Sequence, residues 1–468
     1  MIGLLAPYFL GLYTTVVSWR TRRFSPVHFV PKETDTLQQS GSFLDEGADL
    51  LAEPRRLQRM LLDAGREIVD LSMINPDLAP PRYMLDKLLE ATGKSSNHRY
   101  AVSRGIRRLR AAFSFKYESA FSTVVDPERE VCVCLGSKDG LFQTLKVVLG
   151  KGEKALLPAP AYPAHVSAVR LCGGTPVFFP VATSEQYLLR NVERLIESER
   201  PRCLVVNFPH NPTGVVLSEG CIRELVEMCG RHGVIVINDF VYGEMGFEVA
   251  EQVPSFVPRE GTRTGVVEVY SLSKAYSVPG WRVGAVVGDE SIVKAVARLK
   301  SHVDYGLFLP IQIAAAAALT APTDLVGATT REYQRRARTL VAALERAGWD
   351  VAGPRAGCSV WARIPDQLSS VVAPSSGGAG SSSLAVQFTS YFLQHDGVLV
   401  APGPLFGEGN DSWIRFALVV SEERIREVGR KIGAMRALTG GARSDVVVAM
   451  PAAVVNGNGD THQERVHE

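Results

Sequence analysis

Cysteine is scarce and unpaired in pattern. Seven occur in 468 residues, at 132, 134, 172, 203, 221, 229 and 358, with no CxxC spacing. That leaves no disulfide framework and no zinc pattern, and it fits buried thiols in a reducing compartment. An excess of one charge is also missing. Lys plus Arg total 51 against 49 Asp plus Glu, a net charge of +2. So even a balance excludes nucleic-acid binding by field alone. Lysine itself is rare, 12 residues against 39 arginines, so an amine with a chemical task has few candidates. No internal repeat is present. The first nineteen residues, MIGLLAPYFLGLYTTVVSW, carry no charge and precede Arg20, Arg22 and Arg23. A signal anchor and a non-essential extension are both open readings. Gly3, Pro7, Gly11, Thr14 and Thr15 weaken the first, and no positive charge precedes the apolar stretch.

What is present is an ordinary globular balance, 46% hydrophobic and 21% charged. Helix-compatible spacing runs from Leu51 to Leu61, then REIVDLSM reads as a short strand and NPDLAPP as a loop. Helices are predicted over 82–92 and 104–120. A strand-then-helix alternation follows: VCVCL, KALLP, TPVFFP, CLVVNF, VIVIND and GVVEVYSL are strands, with helices between several of them. Their near-continuous apolar runs fit a parallel sheet covered on both faces. Beyond 320, an arginine-rich helix over 329–347, the strands CSVWARI, GVLVAP and WIRFALV, and a helix from Glu422 to Met435 predict a smaller α+β domain. The organisation expected is an extension (1–50), a segment joining the small domain (51–80), a large domain (81–320), a small domain (321–438) and a tail (439–468). The Ser/Gly-rich stretch 367–383 and the tail read as irregular.

The most informative stretch is SLSKAYSVPGWRVG, 271–284. It follows an apolar strand, so Ser271, Ser273 and Lys274 emerge at a carboxyl end, where open α/β sheets bind ligands. A lysine that forms an imine, with hydroxyls and Arg282 to hold a phosphate, suits an aldehyde cofactor carrying a phosphate. A polar loop with a solvated lysine is the other reading. LGSKDGL offers Ser137, Lys138 and backbone amides as a phosphate cradle at a helix start, though such turns are common. VVNFPHNPTG ends in a turn where Asn211 could donate to a ring oxygen, or simply turn the chain. Asp239 closes the strand VIVIND, with Tyr242 three residues on. A carboxylate at the mouth of a buried strand wants a partner such as a protonated pyridine nitrogen, unless it caps the next helix. Tyr162 follows a strand in PAPAYPAH and could stack on an aromatic ring or pack in the core. Arg415, within the apolar SWIRFALV, suits a bidentate substrate carboxylate or an edge-strand surface.

Together, and in this order along 50–437, these pieces resemble the fold-type I pyridoxal-phosphate aminotransferases of the aspartate aminotransferase superfamily. NPDLAPP, NHRYAVSRGIRRLR, DPEREVCVCLGSKDG and KSHVDYGLFLPIQ look most like the alanine (glutamate–pyruvate) and LL-diaminopimelate types. The resemblance implies an α/β fold, with a large domain built on a mostly parallel seven-stranded sheet and a smaller α+β domain. It implies pyridoxal 5'-phosphate as cofactor, no metal, a small amino acid and a 2-oxo acid as substrates, and a homodimer; free thiols and such a cofactor make the cytoplasm the default, with the apolar N-terminus against it. Lys274 would hold the cofactor as an aldimine and move the proton. Asp239 would keep the pyridine nitrogen protonated, Asn211 and Tyr242 would bond the ring hydroxyl, and Tyr162 would stack. Ser137, Lys138, Ser271, Ser273 and Arg282 would surround the phosphate. Tyr100 would reach the neighbouring subunit's phosphate. Arg415 would grip the α-carboxylate, beside the substrate loop at Asn75, with Tyr162 and Asn211 also facing substrate. The family's Gly before Asn-Pro-Asp is replaced by Met73-Ile74-Asn75, so Ile74 adds bulk near substrate. A lyase, cyclase or synthase on the same scaffold would keep the same set, because the cofactor carries the hard chemistry. A transcription regulator with such a sensor would need a winged-helix segment, and no basic recognition helix precedes the match.

Overall fold

The computed structural model describes residues 50–438, apart from 182–183, 249–251, 262 and 373–382. The uncharged N-terminal stretch, most of the Ser/Gly run and the tail lie outside the described residues. Among the described residues no helix is long and apolar enough to cross a membrane.

Twelve strands are found among the described residues, in two sheets. The larger has seven: β2 (Val131–Cys134), β3 (Lys154–Ala159), β4 (Thr175–Pro180), β5 (Cys203–Val206), β6 (Ile235–Phe240), β7 (Val266–Ser271) and β8 (Gly284–Gly288). Their order is β2-β8-β7-β6-β5-β3-β4, parallel except for β8, which runs antiparallel to both neighbours. β2, β5, β7 and β8 are buried at every position, which is why they read as unbroken apolar runs. Helices cover both faces. Leu188, Val192, Leu225 and Cys229 pack with Val206 and Val236 in one cluster, while Leu141, Leu145, Val293 and Val296 pack with Val205, Val267 and Val269 in another. Each fully buried side chain of this kind contributes about 1.5–3 kcal/mol before cavity terms.

The smaller sheet has five strands, β1 (Val69–Leu71), β9 (Asp350–Val351), β10 (Ser359–Arg363), β11 (Val398–Pro402) and β12 (Trp413–Ala417). Their order is β1-β11-β12-β10-β9. β1 pairs in parallel with β11, so a segment early in the chain joins strands more than 300 residues later. β12 lies mid-sheet between β11 and β10, and this settles the open reading of Arg415: the position is interior. The helices Gly327–Arg346 and Glu422–Leu438 pack against each other closely enough that a Cβ at Gly429 would meet the Ala343 Cβ at 2.7 Å.

Candidate active site

Three adjacent strand ends of the large sheet carry Ser271, Ser273, Lys274, Asp239 and Asn211. β7 ends at Ser271, and its continuation sets the Ser271 and Ser273 hydroxyls 3.0 Å apart. Lys274 follows. β6 carries Asp239, and the loop after β5 carries Asn211. β6 and the β5 loop are locked by a buried network: Asn238 accepts from the Phe208 amide at 3.0 Å and donates to Glu268 at 2.9 Å. Glu268, fully buried, also accepts from Tyr117, Ser255 and the Phe256 amide. Burial pushes its carboxyl up, and those donors partly offset the push.

Asp239 is buried, with one oxygen 2.9 Å from His165 Nε2. Its other oxygen, Oδ1, has no partner among the described residues. An unpaired buried carboxylate oxygen is costly unless a ligand completes it. A protonated ring nitrogen would do so. His165 was not singled out from the sequence, although it sits three residues after Tyr162, one helical turn along Pro163–Leu171. The two rings meet edge to face at 5.2 Å.

The phosphate candidates surround the start of the helix Ser137–Val148. Gly136 precedes it at φ 84°, and no side chain caps the first amides. Those amides are a ready anion cradle. Arg282 comes so close that a Cβ on Gly136 would lie 2.2 Å from its Nη2. The left-handed φ favours glycine there, and a Cβ would push the Arg282 guanidinium aside. Lys138 is exposed, its ammonium 6.0 Å from the Tyr162 ring centre. These residues therefore suit a phosphorylated aromatic aldehyde: an anion cradle, an orphaned buried carboxylate oxygen and a mostly buried lysine.

Lys274 is mostly buried, and its Nζ donates to the Ile74 carbonyl at 2.6 Å. Burial lowers its pKa; the nearby Cys358 opposes this, and the cations Arg415, Arg282 and Lys138 reinforce it. Tyr242 is buried and its hydroxyl is held well above its ordinary pKa, first by burial and then by Cys358 and Tyr162. It therefore stays protonated and able to donate. Cys358, also missed from sequence, faces Lys274, Arg415 and Tyr242, and burial pushes its thiol up to about 11.

Arg415 is 7% exposed and packs over the Phe406 ring at 5.0 Å. Its Nη1 approaches Asn211 Oδ1 at 3.4 Å, its Nη2 donates to the Ser72 carbonyl, and its Nε has no partner among the described residues. Burial lowers its pKa, which marks a guanidinium short of counter-charge. Asn75 is exposed on the same loop, so it is the loop backbone that touches the cations. The Ile74 side chain is 9% exposed and packs in the main hydrophobic cluster. Tyr100 does not join this group. It is 84% exposed, and its ring lies tilted against that of Tyr305 at 4.6 Å; Val102, Val303 and Phe308 are exposed as well.

The family model for class I and II aminotransferases matches residues 66–432. The glutamate–pyruvate aminotransferase AlaC of Escherichia coli is 35% identical over 373 residues, covering 79% of this chain and 87% of that protein. An LL-diaminopimelate aminotransferase of Halothermothrix orenii is 30% identical over 380 residues, covering 81% and 93%. An L-glutamine–4-(methylsulfanyl)-2-oxobutanoate aminotransferase of Bacillus subtilis is 31% identical over 386 residues, covering 82% and 93%. Among solved structures, substrate-bound BacF of Bacillus subtilis aligns with a TM-score of 0.75 at 28% identity, covering 84% of this chain and 97% of that one.

Proposed function

Since the chain belongs to the class I and II aminotransferases, pyridoxal-phosphate enzymes of the EC 2.6.1 group, we propose that it moves the amino group of a small alanine- or glutamate-like amino acid to a 2-oxo acid at the site built around Lys274. One observation carries this reading. Lys274 and Arg415 both donate to one short loop, at the Ile74 and Ser72 carbonyls. Carbonyls two residues apart lie within about 7 Å. A lysine that would bond the cofactor's aldehyde, where substrate amines exchange, and a guanidinium suited to a substrate carboxylate thus converge on one short loop.

When bound, pyridoxal phosphate supplies an aldehyde that bonds amines and a ring that accepts the electron pair left as a carbon loses its proton. Lys274, pushed toward its neutral form by burial, takes that proton from the substrate Cα at Nζ and returns it at the other end of the exchange. Asp239, backed by His165, would stabilise the proton on the ring nitrogen through the Oδ1 that has no partner among the described residues. Tyr242, which keeps its hydroxyl proton, and the Asn211 amide would hydrogen-bond the ring oxygen, and Tyr162 would cover the ring. Ser137, Lys138, Ser271, Ser273, Arg282 and the amides after Gly136 hold the phosphate. Arg415 orients the substrate carboxylate through the Nε that has no other partner. Asn75 borders the substrate side.

The exposed Tyr100–Tyr305 face supports a homodimer in which Tyr100 reaches the neighbouring subunit's phosphate. Free buried thiols fit a cytoplasmic enzyme. The large and small domains divide near residue 320, with 51–80 serving the small one, as the pairing of β1 with β11 supports. A lyase reading is not favoured, since the relatives named above are aminotransferases. The test is the visible spectrum of purified enzyme with L-alanine, L-glutamate, LL-diaminopimelate and L-aspartate in turn. Bleaching of the yellow band with 2-oxo acid release is expected for L-alanine or L-glutamate. A band that recovers while ammonia appears would replace transfer with elimination.

A further inference from the structure

The loop Ser72–Pro80 has neither helix nor strand, so side-chain contacts must hold it. Among the described residues its polar contacts to distant parts of the chain are three, and all three come from cations. Arg415 donates to the Ser72 carbonyl, Lys274 to the Ile74 carbonyl, and Arg336 to the Asp77 carboxylate. Two of these cations have other work. Lys274 would be taken up by the cofactor's aldehyde and then by the substrate's Cα proton, and Arg415 by the substrate's carboxylate. Arg336 is then the one polar anchor left to the loop.

Its geometry suits that task. Arg336 is 2% exposed on the helix Gly327–Arg346. Its Nη1 lies 2.7 Å from Asp77 Oδ1 and its Nη2 3.0 Å from Oδ2, a two-pronged pair. The same Nη1 donates to the Leu418 carbonyl at 2.8 Å, and Nε donates to Glu332 at 2.9 Å. Leu418 directly follows β12, the strand that presents Arg415. The contacts close a ring: Arg415 to Ser72, along the loop to Asp77, to Arg336, to Leu418, and back along three residues to Arg415. The arginine that meets substrate and the loop opposite it are thus referenced to one buried guanidinium that does not meet substrate.

Resting on the aminotransferase reading, we propose that Arg336, acting through Asp77, is a positioning residue for the α-carboxylate pocket. It sets affinity for the group that amino donor and 2-oxo acceptor have in common. Loss of the fork leaves the cofactor side untouched and displaces the loop relative to Arg415.

The experiment uses the full-length enzyme with pyridoxal phosphate, after wild-type transamination is established, and the variants Asp77→Asn, Asp77→Glu and Arg336→Lys. Arg338→Met, an exposed change on the same helix, is the control. In Asp77→Asn and Arg336→Lys, KM should rise about tenfold or more for donor and acceptor alike, since small misplacements of positioned groups are costly. The kcat should change by less than about threefold and cofactor affinity by absorbance titration not at all. Asp77→Glu should restore part of the KM. Hydrogen exchange without substrate should show the amides of Met73, Ile74, Asn75 and Asp77 exchanging faster in Asp77→Asn than in wild type. Lower thermal stability with unchanged KM, a rise for one substrate only, or unchanged exchange of those amides would overturn the proposal. If Arg336→Lys does not fold, Asp77→Asn decides, because its side chain is already 29% exposed. Wild type that binds cofactor but transfers no amino group would sink the aminotransferase reading instead, while the exchange comparison still reads the loop anchor by itself.

Discussion

The two halves of the site are built in opposite ways. The cofactor side draws on adjacent strand ends of one parallel sheet. Its side chains are fixed by a buried network from Glu268 through Asn238 to the Phe208 backbone, and by His165 behind Asp239. The substrate side is assembled across the chain. A loop at 72–77, a strand at 413–417 and a helix at 327–346 meet through cations that donate to backbone carbonyls and one carboxylate. The first half presents a rigid cradle whose open groups, Asp239 Oδ1 and the amides after Gly136, suit one fixed partner. The second presents groups whose present partners are ones a substrate could replace. The difference separates holding a permanent guest from exchanging a transient one.

If that division is sound, substitutions sort by which quantity they move. The largest effect is expected at the boundary. Lys274→Ala should lower kcat by about 10⁴-fold or more, since nucleophile and proton carrier are lost together. Single-turnover spectra with L-alanine check it, and residual turnover near wild type would remove Lys274 from its role. Next come two changes with opposite signatures. Gly136→Ala places a methyl group against Arg282 and should weaken pyridoxal phosphate about tenfold or more with KM for substrate little changed. Arg415→Lys keeps the charge but loses the fork, and should raise KM for donor and acceptor by about tenfold or more at unchanged cofactor affinity. Combined, the two should add, because they lie in separate halves. Coupling of more than about 1 kcal/mol would break the comparison.

The smallest expected effect concerns stability. His210 is fully buried, its Nδ1 2.8 Å from Thr213 Oγ1, and burial, aided by His165, lowers its pKa to about 3. The unfolded chain binds this proton near pH 6.5, so the folded state binds fewer protons between about 3 and 6.5. The neutral imidazole therefore contributes in full above pH 6.5 and is lost as pH falls toward 3. Denaturant unfolding at several pH values should give a shallower acid slope for His210→Gln than for wild type. An equal slope would mean that His210 protonates without opening the fold.

The same division explains what the sequence made legible. Strands buried on both faces announce themselves as apolar runs, and residues at their ends stand next to them in the chain. Ser271, Ser273, Lys274, Asp239 and Asn211 could be read in this way. Arg415 was legible because a guanidinium in an apolar strand is an anomaly. The sequence left it open between pocket and edge, and only the strand order placed it mid-sheet. Arg336 was hidden among the arginines of an amphipathic helix, where nothing local tells the buried one from its exposed neighbours Arg335 and Arg338. Asp77 is likewise one acid in a turn, and its partner stands 259 positions away. His165 and Cys358 carried no local signal beyond falling near named residues. Ile74 was read as bulk toward substrate, but its side chain packs in the core and its carbonyl is what faces Lys274.

Lysine scarcity has a consequence for labelling. Only 12 lysines are present, and among those described Lys300 is wholly buried in ion pairs with Asp139 and Asp304. Most others sit at the surface, where ammonium groups are protonated at neutral pH and nucleophilically silent. Among the described lysines, Lys274 alone combines a depressed pKa with a place among candidate ligand-binding groups. Treated with an aromatic aldehyde and borohydride at neutral pH, the cofactor-free chain should take its tag at one position first. Peptide mapping would then read the address of the chemistry directly, before any substrate is known.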